Sequence, residues 1–249
     1  MRNIPGAVST TFTPAAAGSK ETERPFPLSE TRMTDILILT AALPLLGGLL
    51  FFVKKESTRG LLLTKPFLSA LFVATALTGP QADPGYFRWI LAGLLLCLAG
   101  DVFLIFFFST KLFLAGLVSF LAGHILYTAA FFTLAGPGTA NWIAIALFLA
   151  VSGGVFFWLK PHLGKMLVPV LAYVVIITVM VIGAASLAGT ETIRLGGRAL
   201  AFAGALLFYV SDIFVARQRF LTQNFFNRAV GLPLYFAGQY MIAFSIRFV

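Results

Sequence analysis

From Thr34 onward the chain reads as long apolar runs, each about 20 residues, separated by short polar breaks. Coiled as a helix rising about 1.5 Å per residue, a run of that length crosses roughly 30 Å of hydrocarbon. Eight spans are predicted, near 34–53, 60–78, 88–107, 111–134, 141–159, 166–188, 198–216 and 228–248. The breaks between them are turn or charge signals: "KKESTR", "GPQADPGYF", "ST", "AGPGTA", "KPHLGK", "AGTETIRLGG" and "RQRFLTQNFFN". None is long enough to fold as a separate unit, so the chemistry is expected within the bilayer or at its surface. The predicted fold class is all-α, a polytopic membrane bundle of about eight transmembrane helices occupying residues 33–249.

Residues 1–32 have a different character. They are rich in Thr, Ser, Pro, Ala and charge with no apolar run, which fits neither a signal peptide nor a packed domain. A disordered tail is expected there, and Met33, directly before the first apolar run, is an alternative start.

Composition agrees with the spans. Of 249 residues, 59% are apolar and only 11% charged, whereas a soluble domain carries about 25% charge. In that setting the net charge of +9 points to anionic lipid and not to nucleic acid. Nine bases (Lys54, Lys55, Arg59, Lys111, Lys160, Lys165, Arg217, Arg219, Arg228) follow the odd-numbered spans, against five (Arg32, Arg88, Arg194, Arg198, Arg247) on the other side. The richer side is expected to be cytoplasmic, with both termini opposite. Short loops and compact length suit a bacterial plasma membrane. The single Cys97 lies in an apolar run, reads as a packing residue and offers no disulfide framework.

Acidic residues sharpen the picture. Glu21, Glu23, Glu30, Asp35, Glu56, Asp83 and Glu191 fall in the tail, at a span end or in loops, leaving Asp101 and Asp212 inside spans. A charge at a helix centre costs about 2.5–3.5 kcal/mol on insertion scales, so such residues usually face the bundle interior. Seven further polar groups fall in the same half of the membrane, nearer the basic loops: Lys65, His124, Tyr127, Tyr173, Ser211, Tyr235 and Gln239. His124 and Tyr127 share a face at i and i+3, as do Tyr235 and Gln239 at i and i+4. Together they predict one cavity open toward the basic side. Each also has a plainer reading: helix-bridging for the aspartates, His124 and Gln239, packing for the tyrosines, snorkelling for Lys65. Pro66 frees the carbonyl of Leu62, which predicts a kink beside Lys65 and makes that lysine a candidate anion contact.

Other chemistries find little support. The two histidines, His124 and His162 in the "KPHLGK" loop, have no metal-ligand spacing, and no metal or cofactor is expected. There is no GxSxG elbow, and no Walker or dinucleotide glycine pattern. Two buried carboxylates can divide labour, one holding a proton while the other, ionised, stabilises a cation or positions water. Inside a membrane the natural substrate is a lipid, and the vinyl ether of plasmalogens is cleaved through protonation to an oxocarbenium ion. Ester hydrolysis and proton-coupled transport use the same groups.

Five segments carry a more specific signal: "TKP" (64–66), "GDVFLI" (100–105), "SFLAGHILYTAAF" (119–131), "GALLFYVSDIFVA" (204–216) and "YFAGQYMIAFS" (235–245). In order and spacing they resemble the successive motifs of the YhhN-like lysoplasmalogenase family, across roughly residues 34–249. The resemblance implies an integral membrane enzyme without an established metal requirement. It would hydrolyse the vinyl ether bond of lysoplasmalogens to a fatty aldehyde and glycerophosphoethanolamine or glycerophosphocholine. Asp101 matches the "GD" motif and Asp212 the "SD" motif. On that reading Asp101, being deeper, is the expected acid, and Asp212 stabilises the cation. Lys65 with Arg217 or Arg219 contacts the phosphate, and His124 and Tyr127 position water or a carboxylate. Tyr173, Ser211, Tyr235 and Gln239 complete the cluster around a lysophospholipid. The rival readings are a proton-coupled transporter or exporter and a non-catalytic lipid-binding scaffold; no internal repeat links the two halves.

Overall fold

The computed structural model describes residues 28–136 and 141–249, so the expected tail lies almost wholly outside the described residues. The described residues form eight long helices: α1 (Leu28–Lys54), α2 (Thr58–Leu77), α3 (Pro84–Phe103), α4 (Thr110–Ala135), α5 (Trp142–Leu163), α6 (Leu167–Ser186), α7 (Leu195–Phe220) and α8 (Phe225–Ser245). They occupy the eight predicted spans, and among the described residues there is no strand. By length and hydropathy six stretches among the described residues are apolar enough to cross a membrane, one of them the 48-residue run Trp142–Gly189 that holds both α5 and α6. α8 is not among them, because Asn227, Arg228 and Gln239 lower its hydropathy. The chain is an integral, multi-pass membrane protein.

Several boundaries differ from expectation, each for a local reason. α1 begins at Leu28, before the expected domain start at 33. α3 starts at Pro84, because the Asp83 carboxylate accepts the Tyr86 N–H at 2.6 Å and caps the helix. α5 runs through Pro161 to Leu163, so His162 sits in its last turn and not in a loop; Gly164, at φ 49°, turns the chain. α7 extends to Phe220, placing Arg217 and Arg219 in its final turn. The α7–α8 connection is correspondingly short and is held by amides. Gln218 Oε1 accepts from the Asn224 N–H and from Asn227 Nδ2, both at 3.0 Å. Asn224 caps α8 by accepting the Asn227 N–H.

Close helix pairs form the centre, and glycines permit them. A Cβ on Gly204 of α7 would lie 2.8 Å from the Gly238 carbonyl of α8, and one on Gly238 would lie 2.8 Å from the Gly204 carbonyl. α3 and α4 meet in the same way, where a Cβ on Gly123 would lie 3.1 Å from both Cys97 Sγ and the Gly93 carbonyl. Membrane helices have little hydrophobic drive toward one another, so close backbone approach and van der Waals contact do the work. Ser119 and Gly123, one turn apart, fit this: Ser119 Oγ donates to the Leu96 carbonyl at 2.7 Å. α1 packs outside against α2 and α8, and α5 outside against α6 and α7. Leu43, Phe157 and Val168 point outward, as lipid-facing side chains do.

Candidate active site

Asp101 lies in the last turn of α3, where regular helix gives way to a 3-10 turn at Leu104–Phe106. Carbonyls in such a turn lack helical partners, and Lys65 Nζ donates to the Asp101 carbonyl at 3.3 Å. The same ammonium lies 2.9 Å from Asp101 Oδ1. Asp101 Oδ2 accepts two hydroxyls, Ser69 Oγ at 2.5 Å and Tyr235 OH at 2.6 Å. The carboxylate is 1% exposed, and its ion pair joins α2 to α3. Lys65 and Ser69 stand one turn apart on α2 and so present both donors to one acceptor. An ion pair this deep is weak evidence of net stability, yet removing either partner strands a buried charge.

Asp212 sits on α7 in a different setting. It is half-buried and, among the described residues, accepts one hydrogen bond, from Tyr173 OH at 2.5 Å. Both aspartates line a single, partly open cleft walled by α3 to α8. Its walls are otherwise largely apolar, with Leu117, Phe120, Leu159, Ile177 and Phe220 among them. One wall carries a hydroxyl cluster, in which Ser152 Oγ lies 2.6 Å from both Thr178 Oγ1 and Tyr209 OH. A long apolar cleft with two carboxylates at its wall can take an acyl-like chain and bring a reactive bond between an acid and a base.

Comparison with known proteins places this geometry. Residues 61–246 match the model of the YhhN family. The chain belongs to the YhhN family. The match takes in every residue of both carboxylate clusters, and α1 lies outside it. Over 178 residues, 70% of this chain and 64% of the relative, it is 30% identical to proteins named lysoplasmalogenase from Mycobacterium bovis and Mycobacterium tuberculosis. It is 33% identical over 183 residues to a Bos taurus protein named lysoplasmalogenase TMEM86A, covering 72% of this chain and 71% of that one. The chain thus spans a little under two thirds of the length of the mycobacterial relatives it matches. No solved structure matches.

Within this YhhN member the candidate residues fall into separate groups. Lys65 and Tyr235 meet Asp101, and Tyr173 meets Asp212. The remaining four do not reach a carboxylate. Tyr127 OH donates to Gln239 Oε1 at 2.8 Å, making a pair that ties α4 to α8. Ser211 Oγ donates to its own helix, at the Phe208 carbonyl. His124 is fully buried, its ring edge-on to Phe208 at 4.5 Å and Tyr173 at 5.3 Å, and neither ring nitrogen has a hydrogen-bond partner. Lys65 meets Asp101, and Arg219 donates to the Phe107 carbonyl and to the Thr110 hydroxyl. Arg217 donates to Asn227 Oδ1. Ser69, Ser152, Thr178 and Tyr209 were not anticipated. Two of them had a signal: Ser69 is one turn from Lys65, and Tyr209 lies three residues before Asp212.

Proposed function

We propose that this protein is a lysoplasmalogenase, hydrolysing the vinyl ether bond of a lysoplasmalogen within the plasma membrane of a bacterium. The observation that carries the reading is the pair of unequal carboxylates on one apolar cleft, in a chain of the YhhN family with relatives named for this activity. The alkenyl chain lies along the cleft. The protonated carboxyl donates to the vinyl β-carbon, and the ether oxygen's lone pair stabilises the resulting oxocarbenium ion. Water adds to the α-carbon and gives up a proton to the now-ionised acid. The hemiacetal then collapses to a fatty aldehyde and a glycerophospho-ethanolamine or -choline carrying the freed hydroxyl.

The donors favour Asp212 as the acid, the reverse of the expectation from depth alone. Asp101 is met by an ammonium and two hydroxyls, donors that fill its acceptor sites and suit it to the cation-stabilising role. Asp212, with one hydroxyl in apolar surroundings, is suited to hold a proton and release it. Tyr173 keeps its carboxyl directed at the cleft, and the Asp101 carboxylate supplies negative potential where the cation develops. The test is a pair of lysolipids differing only in the first chain bond. Purified protein is expected to release aldehyde from the 1-alkenyl lipid and nothing from its saturated 1-alkyl analogue. Equal turnover of a 1-acyl lysolipid would instead favour ester hydrolysis.

A further inference from the structure

Two further cavities lie on the basic side of the cleft. One, of about 640 Å³, is lined by Lys65, Leu104, Val215, Arg228 and Tyr235. The other, of about 820 Å³, is lined by Lys54, Glu56, Gln218, Gln223, Asn224 and Arg228. They share Val53, Leu61, Ile105, Gln218 and Arg228, and the first shares Leu104, Val215 and Tyr235 with the cleft that holds the aspartates. The three sets of lining residues thus overlap in order, from a polar mouth formed by the α1–α2 and α7–α8 connections, past Lys65, to the cleft that holds the carboxylates.

Arg228 stands where the two cavities overlap. Its guanidinium lies over the Phe107 and Phe108 rings, at 5.3 and 5.8 Å from their centroids. Among the described residues it makes no salt bridge, those being Lys65–Asp101 and Arg247–Asp35, and it donates no hydrogen bond to the protein. Glu56 lies close enough to act on it electrostatically, and a half-buried arginine held over aromatic faces, with no hydrogen bond to the described residues, can offer its N–H groups to a phosphate. Glu56 lines the same mouth in a left-handed backbone conformation, φ 53°, which is strained for a non-glycine residue.

Spacing along α8 agrees. Arg228 and Tyr235 are two turns apart, about 10 Å along the axis, and Tyr235 OH touches Asp101. In a lysoplasmalogen, phosphorus and the vinyl β-carbon are separated by seven bonds, about 9 Å when extended. A phosphate at Arg228 sets the reactive carbon level with the carboxylates.

Resting on the lysoplasmalogenase reading, we propose that this mouth is the subsite for a zwitterionic headgroup: Arg228 binds the phosphate, and Glu56 faces the ammonium of ethanolamine or choline. Arg228→Gln removes a charge-assisted contact and is expected to raise KM by about tenfold or more, with kcat within a factor of about two. Glu56→Gln removes an exposed charge and is expected to raise KM about two- to fivefold for ethanolamine and choline substrates. With 1-alkenylglycerol 3-phosphate, which has no ammonium, the Glu56→Gln rise disappears. With 1-alkenylglycerol, which has neither group, both disappear. A KM penalty of the same size for all headgroups, or none for any, overturns the assignment. Inhibition by millimolar inorganic phosphate without headgroup dependence marks a free-anion site and also overturns it. If wild-type protein releases no aldehyde, the failure belongs to the catalytic reading. The subsite is then tested by binding of the uncleavable 1-alkyl lysolipid, and it is overturned if Arg228→Gln leaves that Kd unchanged.

Discussion

Asp212→Asn is expected to lower kcat for aldehyde release by about 10²–10⁴-fold, the contribution typical of one positioned general acid, with little change in KM. Asparagine keeps the shape of the side chain and an oxygen to accept the Tyr173 hydroxyl, so the helix contact at 2.5 Å survives while the transferable proton is lost. The size of the loss identifies the acid. A loss below about tenfold returns the role to Asp101.

The second large effect is structural and catalytic at once, and the two parts separate. Asp101→Asn leaves the Lys65 ammonium, its side chain 10% exposed, without its carboxylate. Breaking a buried pair from one side destabilises by about 3–5 kcal/mol, read as a lower unfolding temperature in detergent. Lys65→Met alone is expected to be similarly costly, because Asp101 keeps only its two hydroxyl donors. The double variant Lys65→Met/Asp101→Asn replaces the pair with uncharged groups of similar volume and is expected to recover most of the stability, since such replacements are often neutral. Activity is expected to stay lost in all three. A fully active double variant would reduce Asp101 to a strut between α2 and α3.

Hydropathy disclosed the helices and their depth, because a span needs a run of apolar residues and a break at each end. It placed Asp101, Lys65, Tyr173, Asp212 and Tyr235 at compatible heights, and these do form the two carboxylate clusters. Azimuth was not legible. These helices are apolar on nearly every face, so nothing in the pattern says which way a given residue turns. His124, Ser211 and the Tyr127–Gln239 pair share the height of the carboxylates yet bond elsewhere or not at all. Lys65 shows the other gap. Its partner lies 36 residues away, on the next helix, and no local signal tells a lysine that reaches a lipid phosphate from one that neutralises an aspartate. The α3 break just past Asp101 was hidden as well, since "VFLIFFF" is as apolar as any helix interior.

The proposed lysoplasmalogenase reaction accounts for the two carboxylates only if carbon is protonated. Hydrolysis in deuterium oxide, with the aldehyde trapped as it forms, reads that step directly. Protonation at carbon predicts one deuterium on the carbon next to the aldehyde carbonyl for wild-type protein, and loss of that product in Asp212→Asn. Aldehyde without the deuterium, or no aldehyde from any vinyl ether lipid alongside aspartate-dependent proton flux in liposomes, would contradict it.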